Sequence, residues 1–332
     1  MTRFWAFARQ ADEAMVSAAS SPTPANILVI KLGALGDFVQ ALGPMQAIRD
    51  HHKNARIDLL TTPPFVEMAE ASGLFDRVIP HKRMKWSQWS KIAAFRRELF
   101  AGDYGRVYDL QTSDRSSFYY HLMGPGERPE WSGIAKGCSH PHANPDRDSM
   151  HTFERQAEQL AMAGIDQVPP PNLSFATRAA DLSRFALPRP YGLLAPGGAA
   201  HRPAKRWPAD RFAALAAHLA EQGLPPVVVG GPDERDLHDQ IVRDVPGAIS
   251  LAGETSLLEL AALCAGAALA VGNDTGPMHM AAIGGAPTVV LYSHDSNPAL
   301  CAQRGPAVTI LRRPSLSELS VDEVTAALPP RA

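Results

Sequence analysis

The chain has 332 residues, 45% of them hydrophobic and 20% charged, with a formal net charge of −2. That length favours two domains of about 150 residues each over a single core, in an ordinary soluble globular protein. The charge balance excludes a general nucleic-acid binder, and the longest apolar runs fall short of the ~18 residues of a membrane span.

Residues 1–24 hold Phe4, Trp5, Phe7, Met15 and Val16, but Arg3, Arg9, Asp12 and Glu13 interrupt them. A secretory signal needs an unbroken apolar centre, so this reads as an N-terminal extension of a cytoplasmic protein. Composition favours a helix packed on the body, or a loose end, over a lipid-touching amphipathic helix. Cys138, Cys264 and Cys301 are odd in number and scattered, which fits a reducing compartment. Ser20-Ser21-Pro22-Thr23-Pro24 separates the extension from a predicted strand over 26–31.

Leu32-Gly33-Ala34-Leu35-Gly36-Asp37 follows, then a helical pattern with Phe38, Leu42, Met45 and Ile48 on one side. Strand, glycine turn and helix open a doubly wound α/β domain. Strands over 56–61, 77–80 and 106–110 and helices over 65–72 and 89–100 continue the alternation. Residues 123–150 are rich in Gly, Pro, His and Asp without a period and read as a long loop. A helix over 152–164 follows. The proline-rich stretches 167–172 and 187–190 bracket the connection between domains.

The second half restarts the pattern. A strand over 191–195 enters the loop 196–208, and Pro208 suits the first turn of a helix over 209–222. Strands over 226–230, 249–251, 269–272, 288–292 and 307–311 alternate with helices over 234–244, 256–265 and 278–283. A last helix covers 321–328. Continuous apolar strands of this kind belong to parallel sheets covered on both faces.

Three stretches carry candidate chemistry. At Gly33-Ala34-Leu35-Gly36-Asp37 the glycines permit a tight turn, and Asp37 falls at the cap or first turn of a helix. The positive end of the helix favours a carboxylate, which could serve as a base or simply as a cap. A dinucleotide site is the rival reading. It is weakened by a Gly-x-x-Gly rather than Gly-x-Gly-x-x-Gly spacing and by Thr61-Thr62 where an acid for the ribose would sit. In the second stretch Gly197 and Gly198 permit close approach while Lys205 and Arg206 precede a helix start. They read either as a diphosphate site or as a solvated basic loop. In the third, Asp274-Thr275-Gly276-Pro277-Met278-His279 follows an apolar strand directly. Thr275 and His279 share one helical face at a start that favours an anion, and the stretch reads either as the grip on the phosphates of a nucleotide-sugar donor or as an Asp-Thr-Gly turn with a satisfied helix-facing histidine.

Two other stretches count for less. Asp146-Arg147-Asp148 has the Asp-x-Asp form of metal-dependent sugar transferases but follows Pro145 in a polar loop. Cys138-Ser139-His140-Pro141-His142 lacks a second ligand pair for zinc, and no metal or cofactor is expected. Residues 81–97 hold Lys82, Arg83, Lys85, Lys91, Arg96 and Arg97 with Trp86 and Trp89 and no acid. Such a mixture suits an anionic membrane surface or a phosphorylated acceptor, or is a solvated helix face.

Five motifs in order resemble the heptosyltransferase family, glycosyltransferase family 9, which builds the lipopolysaccharide inner core. They are Lys31 to Asp37, Pro196-Gly197-Gly198-Ala199 with Lys205-Arg206-Trp207-Pro208, Val229 to Glu234, Leu251 to Thr255, and Asn273 to His279. The resemblance implies a GT-B fold, two Rossmann-like domains facing a cleft. It divides the chain into the extension 1–24, an acceptor-side domain 25–175, a nucleotide-sugar domain 190–314 and a C-terminal helix 315–332 crossing back to the first domain. It further implies inverting, metal-independent transfer of a sugar, by analogy heptose from ADP-heptose, to a lipid-linked oligosaccharide acceptor at the inner membrane face. Asp37 would be the general base. Gly197, Gly198, Lys205, Arg206, Asp274, Thr275, Gly276 and His279 would hold the donor, and Gly33, Gly36, Lys82, Arg83 and Lys85 would face the acceptor. Two places depart from better-known members: Gly33-Ala34 replaces two hydroxyl residues, and Ser293-His294-Asp295-Ser296-Asn297-Pro298 replaces a Gly-Pro-Thr/Ser start.

Overall fold

The structure, a computed structural model, describes residues 25–82, 84, 87–124, 128–198 and 202–330. The extension 1–24 and the acceptor candidates Arg83 and Lys85 lie outside the described residues. The first half forms one six-stranded parallel sheet: β1 (Asn26–Ile30), β2 (Arg56–Thr61), β3 (Arg77–Pro80), β4 (Arg106–Asp109), β5 (Glu130–Gly133) and β6 (His140–Pro141). The second forms another from β7 (Gly192–Ala195), β8 (Pro226–Gly230), β9 (Ile249–Ala252), β10 (Leu269–Asn273), β11 (Thr288–Tyr292) and β12 (Val308–Arg312).

Both sheets share one order. The first runs β3-β2-β1-β4-β5-β6 and the second β9-β8-β7-β10-β11-β12. The chain therefore reverses direction of winding between β1 and β4, and again between β7 and β10, and these switch points open a crevice at the carboxyl ends of the strands. Ile27 to Ile30 and all of β10 are buried, as parallel strands covered on both faces must be. The register puts Ile30 opposite Asp109 at the first switch and Gly272 opposite Ala195 at the second, so the loops after these strands start level.

Several expectations need correction. The stretch 123–150 is not simply a loop, because β5 and β6 lie within it and complete the first sheet. Strands of 4 and 2 residues are too short to show a period, and what places β5 is burial of Trp131 against Tyr120. The helices Asp114–Leu122 and Ser174–Ala179 have no counterpart in the sequence pattern, and the helical run after Gly36 is two helices, Leu35–Gln40 and Leu42–His51. The last helix, Val321–Ala326, packs on the second domain. Leu316, Leu319 and Val324 bury themselves with Trp207, Phe212 and Leu215 of the second domain, and the Trp207 indole N–H donates to the Leu319 carbonyl at 2.9 Å.

The two halves meet along a continuous apolar cluster that includes Phe38, Val39 and Leu42 from the first and Met278, Met280 and Leu260 from the second. Polar ties reinforce it. His151 Nε2 donates to the Ala302 carbonyl at 3.0 Å, Thr152 Oγ1 donates to the Leu300 carbonyl at 3.2 Å, and Arg304 pairs with Glu154 through both carboxylate oxygens. Among the described residues no helix is long and apolar enough to cross a membrane.

Burial holds several histidines neutral. His52, His81 and His279 are each pushed down to about 4, and burial also lowers His140, His142, His151 and His238. Asp109 opposes them, since burial raises it to about 6. Below an ordinary histidine value of about 6.5 the unfolded chain binds more protons than the folded one at each such ring, so folding stability is lost as pH falls. We expect the urea midpoint to drop steadily between about pH 6.5 and pH 4; a midpoint that is flat or rises on acidification contradicts buried neutral histidines as the dominant titrating groups.

Candidate active site

Asn273 ends β10 with no exposed surface, and its amide organises the second half-site. Its Nδ2 donates to the carbonyls of Pro196 at 2.7 Å and Gly197 at 3.2 Å, and its Oδ1 accepts from the Trp207 N–H at 3.0 Å. One side chain thus ties the loop after β7, the Lys205–Trp207 segment and the start of the Asp274 turn together.

That arrangement carries Lys205 to Asp274. Lys205 Nζ donates to Asp274 Oδ2 at 2.9 Å, and the two side chains are 13% and 8% exposed. Burying two charges costs more than their attraction returns unless other groups satisfy them. Here Ser296 Oγ donates to Asp274 Oδ2 at 2.7 Å and Gln303 Nε2 donates to Oδ1 at 3.1 Å. Burial alone would raise the Asp274 carboxyl; the hydrogen bonds from Ser296 and Lys205, the Lys205 charge and Gln303 outweigh it and hold the group below its ordinary value.

Arg206 takes a different partner. It donates to the Gly198 carbonyl and lies 3.6 Å from the Glu234 carboxylate. Glu234 also accepts from the N–H groups of Gly198 at 3.0 Å and Gly231 at 2.9 Å. A Cβ added at Gly197 would fall 2.1 Å from that carboxylate. The close approach that Gly197 and Gly198 permit is therefore used by Glu234, and the Gly198 N–H is already committed. Neither basic residue stands as an unpaired cation.

Thr275 caps the helix Gly276–Gly284 in extended conformation, without a hydrogen bond from its own side chain to the first turn. Among the described residues its buried Oγ1 has no partner, and neither has His279 Nδ1. Two open polar atoms beside a helix start, with Lys205 adjacent to the same turn, make an anion-binding corner. His279 is lowered to about 4 by burial, against the charges of Asp274 and Asp37. Asp37 belongs to the other half of the chain, so its field reaches His279 only because the halves meet.

They meet at two glycines. A Cβ at Gly36 would lie 2.7 Å from His279 Cδ2, and one at Gly276 would lie 2.6 Å from the Leu35 side chain. The helices Leu35–Gln40 and Gly276–Gly284 thus touch at their starts, each placing a side chain on the other's glycine. Asp37 is partly exposed, and its Oδ2 accepts from the Ala34 N–H at 3.3 Å, so it closes its own first helical turn. Gly33 holds φ at +126°, a conformation that favours glycine, with Phe65 packed beside it. Beneath lies buried Lys31, whose Nζ donates to the Leu110 carbonyl at 3.1 Å; burial lowers it, against the charges of Asp37 and Asp109.

Lys82 lies just beyond β3 on the exposed surface. The indole of Trp89 is 74% exposed at the start of the helix Trp89–Ala101. Asp146 and Asp148 are exposed beside a short turn of helix, and among the described residues no group of three or more His, Cys, Asp and Glu side chains is placed to hold a metal.

Residues 92–322 match glycosyltransferase family 9 (heptosyltransferase). The chain belongs to this family. It is 26% identical over 293 residues to lipopolysaccharide heptosyltransferase 2 of Escherichia coli K12, covering 81% of this chain and 83% of that one. The structure of E. coli ADP-heptose lipopolysaccharide heptosyltransferase II superposes with a TM-score of 0.75 at 22% identity, over 91% and 97% of the two chains. E. coli heptosyltransferase WaaC with ADP gives a TM-score of 0.71 at 21% identity, over 91% and 98%. The fold is GT-B and the protein is a glycosyltransferase, which removes the rival dinucleotide-site reading.

In this family 9 enzyme the sequence pattern does not single out Asn273, Glu234, Tyr292 or Gln303 as builders of the site. Asn273 and Glu234 sit inside two of the five motifs, and only their partners reveal their work. Gln303 lies in a stretch without periodicity. We expect Asn273→Ala to strip partners from three buried backbone groups and to cost about 2–4 kcal/mol by urea unfolding. A loss below about 0.5 kcal/mol, the scale of an unimportant surface change, would remove Asn273 from this central position.

Proposed function

We propose that this family 9 glycosyltransferase transfers heptose from ADP-heptose to a hydroxyl of a lipopolysaccharide inner-core acceptor, inverting the anomeric centre without a metal ion. The observation that supports the reading is the contact of the two helix starts, where a Cβ at Gly36 would fall 2.7 Å from the His279 ring and the charge of neighbouring Asp37 acts on that imidazole. The choice of ADP-heptose is supported by the relatives, one of which is named for that donor and another of which is a complex with ADP.

Position supports the following roles. The donor diphosphate sits at the start of the helix Gly276–Gly284, where Thr275 Oγ1, the first N–H groups and Lys205 receive its charge. Asp274 and Gly276 border the same corner, while Gly197, Gly198 and Arg206 shape its wall through Glu234. Asp37 removes the proton of the acceptor hydroxyl as that oxygen attacks the anomeric carbon from the face opposite the diphosphate. The bond from carbon to phosphate oxygen breaks in the same displacement, and ADP departs with the electron pair. Lys205 stabilises the charge that develops on it. Gly33, with no side chain, lets the acceptor come close to the turn before Asp37, and Gly36 makes room for the His279 ring.

The acceptor is an anionic glycolipid. The exposed Trp89 with Lys82, Lys91 and Arg97, continuing through Arg83 and Lys85 in sequence, suits contact with the cytoplasmic membrane face where such a lipid would be presented.

The decisive assay supplies ADP-heptose and a core-lipid acceptor in excess chelator, following product mass and anomeric configuration. We expect an inverted glycoside and free ADP, with a kcat loss of at least about 10²-fold in Asp37→Ala at nearly unchanged donor affinity. Transfer that requires added metal, a retained configuration, or a fully active Asp37→Ala enzyme would each sink the mechanism.

A further inference from the structure

Gln303 bridges the carboxylate and the imidazole of the donor corner. Its Nε2 lies 3.1 Å from Asp274 Oδ1 and 3.2 Å from His279 Nε2, while its Oε1 accepts from the Tyr292 hydroxyl at 2.8 Å. The chemistry of these partners fixes every proton. An ionised carboxylate only accepts, so the amide atom facing Asp274 is nitrogen; the opposite flip would set two acceptors against each other. The second N–H of the same amide then points at His279 Nε2, which must accept. A neutral imidazole accepting at Nε2 carries its proton at Nδ1. That Nδ1 is buried and has no partner among the described residues.

We infer that Gln303 is a positioning residue that locks His279 in the neutral Nδ1–H tautomer and so offers the donor substrate a buried N–H at the first turn of the helix Gly276–Gly284. The destination of that N–H rests on the transfer reading above; the tautomer does not. Gln303 is itself held by the junction of the halves. Its neighbours Ala302 and Arg304 bond to His151 and Glu154 of the first domain. The flanking residues thus tie this segment to the first domain, while the amide's own partners, Asp274, His279 and Tyr292, all belong to the second. The segment from Ser293 to Gln303, which opens differently from better-known members, also provides Ser296 to Asp274. Here the departure in sequence coincides with a hydrogen-bond network built on Asp274.

Long-range proton–nitrogen correlation spectra of ¹⁵N-histidine protein without ligand test this, with His279 assigned by loss of its signals in His279→Gln. At about pH 7 we expect a protonated Nδ1 and an unprotonated Nε2. Gln303→Glu replaces the donor with an acceptor and should move the proton to Nε2. Gln303→Met, which adds no charge, should leave a mixture of tautomers. Both should lower kcat about 10- to 100-fold, the range for loss of a hydrogen bond within a charged network, without a matching rise in donor KM. A wild-type His279 protonated at Nε2 or at both nitrogens overturns the inference, as does a Gln303→Met protein that keeps both the single tautomer and full kcat. Because the spectra need no substrate, the tautomer is decided separately from heptose transfer, and a failure of transfer leaves it standing.

Discussion

The mutual approach of two helix starts governs this molecule. Gly36 accepts the His279 ring and Gly276 accepts the Leu35 side chain, so neither contact exists unless both positions lack a Cβ. Each helix begins just beyond a strand at the switch point of its own sheet, the place where a doubly wound sheet opens toward a ligand. The fold thus builds two half-sites separately and joins them at one crossing. The proposed base Asp37 on one side and the Lys205–Asp274 corner on the other are brought together only there.

Electrostatics make that corner expensive to build. Lys205 and Asp274 are buried together, and a buried pair holds only when its remaining hydrogen-bond positions are filled. Ser296 and Gln303 fill those of Asp274, Tyr292 orients Gln303, and Asn273 fixes the segments from which Lys205 and Asp274 project. The corner is therefore balanced before any substrate arrives. On the proposed reading, a diphosphate entering it would share Lys205 with Asp274 and gain the helix start and the Thr275 hydroxyl, which no described residue engages. Ready-made, oriented dipoles of this kind need little rearrangement when charge develops on a leaving group.

Much of this is readable from the chain. The parallel strands show as apolar runs, and β2, β3, β8 and β11 fall where those runs lie. Asp37 in a first helical turn and Thr275 with His279 on one face follow from helical spacing. What escapes depends on distant partners. Gly36 and Gly276 look like places for a ligand to approach, whereas they admit each other's helices. Gly197 and Gly198 likewise receive Glu234, and Arg206, in sequence a free cation, is turned to that carboxylate. Strands β5 and β6 are too short to carry a period, and the final helix takes the apolar face of its own domain because Leu316, Leu319 and Val324 match it. Gln303 has no local signal at all, since its meaning lies wholly in the three side chains around it.

If the crossing at Gly36 assembles the site, Gly36→Ala tests it with little interference. Inside a helix alanine is favoured over glycine by up to about 1 kcal/mol, so the first domain should fold at least as well. The added methyl would nevertheless stand 2.7 Å from His279 Cδ2 and force the halves apart. The decisive measurement is single-turnover heptose transfer by this variant alongside its ADP affinity. Assembly at the crossing predicts transfer slowed by at least about tenfold while ADP still binds, since the nucleotide corner lies within the second domain. Wild-type transfer by Gly36→Ala would contradict it and would mean that the two half-sites meet in some other way.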